Sequence, residues 1–415
     1  MYLKNKESNF LLVLFAILPL CIILGSSVSL LCVVILNLII LFILLSEKNY
    51  EFVFKTVNKS LIILAIYLIF NTIISIDPMI GLGRNFGFFR FLFLFIAINY
   101  LVYKNPKSLK LIFLIWSILF SLVVIDVYIE FFFGSNIFGW GALEINGVPQ
   151  PNGERIVSFF KDEPIAGAFL SAFVLVLSGF YLENFKTHKF KILLFLIISF
   201  LAILLTGERS NTIKILFCLI LLLIFVDIFK LREKFLIIFT LFIVLTFTYS
   251  NSDYLKNRYY YVKQLTTSDG FSKFKEQSLY YKLYKSGYSV FKNNYLFGVG
   301  NKNYRVVTCQ NKKNIDDYIC LTHPHQTYIE FLSEHGIIGT LILLGIFFLL
   351  IFKILKQIII SRNYIQLGSF LFILTNFIPI LPSGSFFTDF NSTLFWLNFG
   401  IMFACTKETN VFHKP

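Results

Sequence analysis

Charge is scarce in this 415-residue chain: only 14% of its residues are Asp, Glu, Lys or Arg. An average soluble domain carries about a quarter. The shortage excludes a soluble globular enzyme and a disordered chain. Six cysteines in such a length exclude a secreted module built on disulfides. No small-residue cleavage site follows the apolar run that starts near Phe10. The first segment, behind Lys4 and Lys6, therefore reads as an uncleaved signal-anchor. Apolar residues are what the chain has, at 57% with 52 phenylalanines and a mean hydropathy of +0.76. They recur in runs of about 20, the length that crosses a bilayer as helix.

The pattern predicts an all-α polytopic membrane protein of about 12 transmembrane helices. The expected spans are 9–25, 27–46, 60–76, 86–103, 110–133, 165–182, 191–207, 212–230, 234–250, 336–354, 364–382 and 391–406. With the N-terminus inside, 19 of the 37 Lys and Arg fall in the tails and loops of that side. Six fall in all the short opposite loops, and 12 in one long segment, 251–335. The short-loop bias satisfies the positive-inside rule and puts both termini in the cytoplasm. Three regions follow. Residues 1–250 hold nine helices and a short external segment near 134–164. Residues 251–335 form one large external loop of short helices, and 336–415 hold the last three helices and a short tail.

Arginine is the scarce cation, 8 against 29 lysines, and six of the eight lie on the external side: Arg84, Arg90, Arg155, Arg209, Arg258 and Arg305. The physical reason for such placement is a multiply charged anion, since guanidinium binds phosphate oxygens bidentately and keeps its charge when desolvated. The plainer alternative is local pairing, Arg155 with Glu154 and Arg209 with Glu208. Four motifs concentrate the polar residues. Thr206-Gly207-Glu208-Arg209-Ser210-Asn211 joins two apolar spans. Arg155 to Pro164 brings Lys161, Asp162 and Glu163 to the small-residue helix start Ala166-Gly167-Ala168, either to hold and orient cations around an anion or to cap the helix. In Leu296-Phe297-Gly298-Val299-Gly300 the glycines are expected to turn the backbone close to a ligand, with Arg305 following.

The last motif, Thr322 to Gly339, holds His323, His325 and His335 just before a span, with Gln326 and Tyr328 beside them. His325, Tyr328 and Leu332 have the spacing of one helical face. Zinc on His323, His325, His335 and Glu334 is the minor alternative, because His-x-His does not share a helix face and no H-E-x-x-H occurs. A neutral imidazole beside arginines fits a general base better, and no metal or other cofactor is expected. Cys309 and Cys320 sit in the external segment, where they can close a short loop if that side is oxidising. The other cysteines fall in apolar spans as small buried hydrophobes.

Taken in order, Arg-x-Ser-x-Phe…Asp-Glu-Pro, Thr-Gly-Glu-Arg-Ser, Leu-Phe-Gly-Val-Gly…Tyr-Arg and His-Pro-His-Gln-x-Tyr-x-Glu-x-Leu-x-Glu-x-Gly-Ile-Ile-Gly resemble the O-antigen ligase/polymerase (Wzy-like) superfamily over roughly 150–345. The resemblance implies a metal-independent glycosyltransferase of the bacterial inner membrane with a periplasmic active site. Its donor is a glycan on undecaprenyl pyrophosphate. Its acceptor is lipid A-core for a ligase, or another lipid-linked glycan for a polymerase. Membrane lipids surround it, and nucleic acid has no part. His325 matches the family's essential histidine, Arg209 and Arg305 its arginines. Arg155, Lys161, Arg84, Arg90, Glu208, Glu163, His323, Gln326 and Tyr328 complete the expected substrate site. Where many members carry an arginine, 278–285 reads Ser-Leu-Tyr-Tyr-Lys-Leu-Tyr-Lys, leaving Lys282 or Lys285 to stand in. A flippase for lipid-linked oligosaccharide is the alternative from another class. It predicts polar residues within the spans, and Asp126, Glu130 and Asp227 are the few present.

Overall fold

A computed structural model describes residues 2–48, 50–141, 155–161, 163–260 and 278–413, with 270, 272 and 275 between the last two stretches. Asp162 and most of 261–277 lie outside the described residues. Among those described there is no β-strand. The helices are α1 (Tyr2–Ile23), α2 (Ser26–Glu47), α3 (Thr56–Ile73), α4 (Pro78–Gly87), α5 (Phe89–Lys104), α6 (Ser108–Phe133), α7 (Ala166–Asn184), α8 (Lys189–Leu205), α9 (Arg209–Phe225), α10 (Leu231–Ser250), α11 (Asp253–Arg258), α12 (Leu279–Asn293), α13 (Tyr304–Gln310), α14 (Thr327–Ser361), α15 (Tyr364–Thr375) and α16 (Asp389–Ala404).

Each of the twelve expected spans falls on a helix. Among the described residues six spans are long and apolar enough to cross a membrane: α2, α3, α4 with α5, α6, α7 and α14. A bent pair, α10 with the segment Asp253–Tyr260, makes a seventh if taken as one span, broken by 99°. The remaining helices are shorter or less continuous, which a period-and-length reading of sequence does not distinguish.

α7 is the central helix, buried along nearly its whole length. It touches α15 backbone to backbone: Gly179 lies against the Tyr364 carbonyl and Gly368 against the Leu175 carbonyl, where any Cβ would collide. Small residues at a crossing are how helices approach closely where the surroundings are apolar. Around this pair the core is aromatic. Phe95 of α5 packs on Phe399 and Phe403 of α16, each at a centroid distance of 5.6 Å.

Two features position the site. The first is a break in α14 at Gly336 (φ 63°, ψ −170°). A helix break orphans carbonyls on one side and N–H groups on the other. The Leu296–Gly300 stretch satisfies both. Val299 and Gly300 donate to the Ser333 and Glu334 carbonyls at 3.0 and 2.8 Å. The N–H groups of Ile337 and Ile338 donate to Tyr295 and Leu296 at 2.8 and 3.1 Å. This corrects the expected role of these glycines. Gly298 and Gly300, both at positive φ, let backbone meet the Glu334–Gly336 chain and Ser75, not a ligand. A Gly336→Ala chain is expected to lose about 2–4 kcal/mol, from strain and a Cβ placed against Leu296 and Gly298. Its unfolding midpoint in detergent measures this; an unchanged midpoint would remove the break from the list of supports.

The second feature is the pair of acids inside α6. Glu130 accepts from the Val157 and Ser158 N–H groups at 3.1 and 2.6 Å, and Asp126 from the Ser158 hydroxyl at 2.7 Å and the Ile137 N–H at 3.1 Å. Both are buried. They fasten the segment that carries Arg155, a structural use for the polar residues of that span.

Candidate active site

One cavity of about 1560 Å³ takes its wall from α4, the 155–165 segment, the α8–α9 turn, α11, α12, the 302–305 loop, the 323–325 segment and the α15–α16 connection. Of the expected residues, Arg84, Arg90, Arg155, Glu163, Glu208, Arg209, Arg305, His323 and His325 line it. Three do not. Lys161 is exposed elsewhere, in a left-handed turn (φ 55°). Gln326 caps α14, its side chain accepting from the Ile329 N–H at 2.8 Å. Tyr328 donates to the Phe377 carbonyl at 2.6 Å, holding α14 to α15.

The α8–α9 turn gathers the first cationic group. The Ile156 N–H donates to the Thr206 carbonyl at 3.3 Å, which seats Arg155 beside the turn. Arg258 donates from Nη2 to the Gly207 carbonyl at 3.2 Å. Gly207 (φ 72°) has no room for a Cβ because the Tyr254 hydroxyl fills it. Glu208 is not paired with its neighbour Arg209. Its Oε1 accepts from the Gly167 N–H and its Oε2 from Asn211 Nδ2, both at 2.6 Å. The carboxylate therefore caps α7, a role expected of Asp162 or Glu163, and a Cβ on Gly167 would strike it at 2.9 Å. Burial pushes the Glu208 carboxyl up to about 7, against the Gly167 bond and the nearby Arg155, which lower it.

A charge that changes near pH 7 has a sign that can be worked out. The native state holds the Glu208 proton more tightly than the unfolded chain, so this group's stability contribution falls as pH rises from about 4.5 to about 7. Over the same window the carboxylate forms and offsets the field of Arg155. Anion affinity at the turn is therefore expected to weaken from pH 6 to pH 8. A Glu208→Gln chain should lose most of that slope in a pyrophosphate titration, and an equal slope in both proteins would exclude Glu208 as its source.

His325 precedes α14 rather than lying on it. It sits in the left-handed region (φ 57°), so the expected face shared with Tyr328 and Leu332 does not form. Its carbonyl accepts from the Ser383 N–H at 2.9 Å, which ties the segment to the α15–α16 connection. Its ring lies tilted by 40° against His323, centroids 3.9 Å apart, and meets Tyr280 edge-on at 6.0 Å. Burial lowers the His325 imidazole below its ordinary value; a Ser383 backbone bond works against this and Arg155 adds to it. His323 is pushed down to about 3 by burial, with His325 and Arg84 adding to the effect. Both rings are neutral at pH 7, so His325 can accept a proton. His335 is elsewhere, its Nδ1 3.1 Å from the Tyr67 hydroxyl in the aromatic core. Among the described residues no three His, Cys, Asp or Glu are grouped to hold a metal ion.

Sequence reading missed several wall residues. Arg258 had its signal, an outward arginine. Lys302, Lys214, Tyr280, Tyr281 and Tyr284 also line the cavity. Lys285 does not replace a family arginine: it pairs with Asp317 at 2.8 Å, and tyrosines of the same helix turn inward in its stead. The connection Asn376–Asn391 carried no motif, yet its Pro382 carbonyl accepts from Ser210 and from Lys214 Nζ. Arg90 is ion-paired with Asp389 across the wall. Cys309 and Cys320, joined as a disulfide, close the loop that follows α13.

Residues 194–344 match the O-antigen ligase family (Wzy_C). The match bears out the resemblance carried by the motifs, and that family implies glycosyl transfer. It covers Arg209, Arg258, Lys302, Arg305 and both histidines, while Arg84 and Arg155 lie N-terminal to it. The long apolar helices mark an integral membrane protein. No curated protein matches the chain.

Proposed function

We propose that the cavity transfers an undecaprenyl-pyrophosphate-linked glycan to a sugar hydroxyl at the periplasmic face of the bacterial inner membrane. The observation that carries this reading is the convergence of Arg155, Arg209, Arg258 and His325 on one cavity from separate segments of the chain. Arg155, Arg209 and Arg258 hold the pyrophosphate. The prenyl chain runs along apolar wall residues such as Ile213, Phe372 and Leu394. His325 takes the proton of the acceptor hydroxyl, and that oxygen attacks the anomeric carbon. The bond from this carbon to the phosphate oxygen breaks, and undecaprenyl pyrophosphate leaves with the electron pair. Charge grows on the leaving group, where preorganised guanidinium groups stabilise it most. One displacement inverts the anomeric centre and needs no carboxylate nucleophile. Asp126 and Glu130 are occupied by hydrogen bonds from Ile137, Val157 and Ser158, and the charge collects in one cavity, an arrangement suited to chemistry at one membrane face.

The acceptor distinguishes ligase from polymerase. A host lacking this chain is expected to accumulate lipid-linked intermediates. Single-repeat glycan on the carrier identifies a polymerase, and full-length chains on the carrier identify a ligase. A deletion strain with neither product and normal surface polysaccharide would overturn the reading.

A further inference from the structure

One pyrophosphate needs one cationic cluster, yet the cavity wall carries two, built separately. The first is the group on the α8–α9 turn. The second is mounted where α4 docks on the loop before α13. Asn303 accepts from the Asp77 N–H at 2.8 Å and donates to the Asp77 carbonyl at 3.1 Å. Asn301 donates to Asn85 at 2.7 Å, and a Cβ on Gly81 would meet the Asn301 carbonyl at 2.8 Å. This joint carries Arg84, Lys302 and Arg305 to the cavity. Nη1 of Arg84 and Nε of Arg305 are buried with no hydrogen-bond partner among the described residues. Buried cationic donors left unsatisfied are costly, and an oxyanion would satisfy them. Three acids face this cluster: Asp389 is already paired with Arg90, Glu330 accepts from Ser385 Oγ and the Phe386 N–H, and Glu334 accepts from the Tyr304 N–H beneath it.

His323 and His325, ring centroids 3.9 Å apart, line the same cavity as both clusters. Arg155 of the first acts on His325, whereas Arg84 and Arg305 of the second act on His323. In an inverting displacement the nucleophile and the leaving group occupy opposite faces of the anomeric carbon. With the pyrophosphate on one side of the base, the cluster on the other side faces the acceptor.

We infer that Arg84, Lys302 and Arg305 form a second oxyanion site, which takes a phosphate or carboxylate borne by the acceptor glycan close to its attacking hydroxyl. The assignment to the acceptor rests on the transfer reaction proposed above; the existence of two anion sites does not.

Calorimetric titration of the full-length protein in detergent with inorganic pyrophosphate tests the two sites. Two equivalents are expected for the unaltered chain. Arg84→Gln with Arg305→Gln should keep one, and Arg155→Gln with Arg209→Gln should keep the other. The surviving site shows that each variant is folded. A single equivalent in the unaltered protein, or loss of all binding in both variants, overturns the inference. Transfer assays then use acceptors carrying a sugar phosphate, a uronate, or neither. The Arg84/Arg305 variant should raise the acceptor KM at least about tenfold for the charged acceptor alone, phosphate or uronate, with donor KM unchanged. A rise in donor KM instead, or an equal loss for neutral acceptors, refutes the acceptor site while transfer itself stands. No transfer by the unaltered protein refutes the transfer reading, and the titration still decides between one site and two.

Discussion

A His325→Ala chain is expected to transfer glycan about 10²–10⁴-fold more slowly than the unaltered protein, the range for loss of a positioned general base. The effect should fall on kcat, with donor KM nearly unchanged, because the ring accepts a proton and carries no phosphate contact. The pH profile offers a sharper reading. Burial holds the imidazole below its ordinary value, so the acid limb of activity should lie below about pH 6.5, and the limb should vanish in the alanine variant. The same shift has a stability consequence. The native state disfavours the protonated ring, so stability contributed here is full above the unfolded value and falls as pH drops below it. His323 controls for position: its ring lies 3.9 Å away and is still more strongly neutral. If His323→Ala abolished transfer and His325→Ala spared it, the base would be misassigned.

How much of this was legible in the sequence follows from what each feature depends on. The helices were legible because an apolar run of bilayer length has few alternatives. Their breaks were less so. The kink at Gly336 depends on Tyr295–Gly300 supplying bonds from 34 to 42 positions away, and no local pattern announces that partnership. The arginines were legible as a set because they stand out from a lysine-rich composition, 8 against 29. Their grouping was not. Arg258 joins Arg209 through the Gly207 carbonyl, and Arg90 is taken by Asp389, 299 residues away. The expected Glu208–Arg209 pair failed for a geometric reason: in a turn after a helix the carboxylate reaches the free N–H groups of α7 and neutral Asn211 more directly than its own neighbour. Gln326 and Tyr328 have the right residue types but bond to backbone. Motif membership places a residue near a site without deciding which way its side chain turns.

Arg209 yields the second large effect. Arg209→Ala is expected to slow transfer about 10²–10³-fold, or ~2.7–4 kcal/mol of transition-state stabilisation, by analogy with loss of one preorganised oxyanion donor. The control is Arg209→Lys. It keeps the charge but not the planar fork, so a diphosphate held bidentately should recover only part of the rate, whereas a purely long-range field would be restored almost fully. The two outcomes separate bidentate grip from general attraction. The double variant with Arg155→Ala should be less damaging than the product of the two single effects. In the proposed site the two cations share one anion, the Ile156–Thr206 bond seating Arg155 beside the turn, and residues with a common partner are not additive. Strict additivity would place Arg155 and Arg209 on different ligands and split the first cluster. Raised ionic strength gives an independent reading. Screening acts on exposed charge and much less within an enclosed cavity, so donor KM should respond weakly to salt if the guanidinium groups meet the pyrophosphate inside the wall, and steeply if they only attract it from the rim.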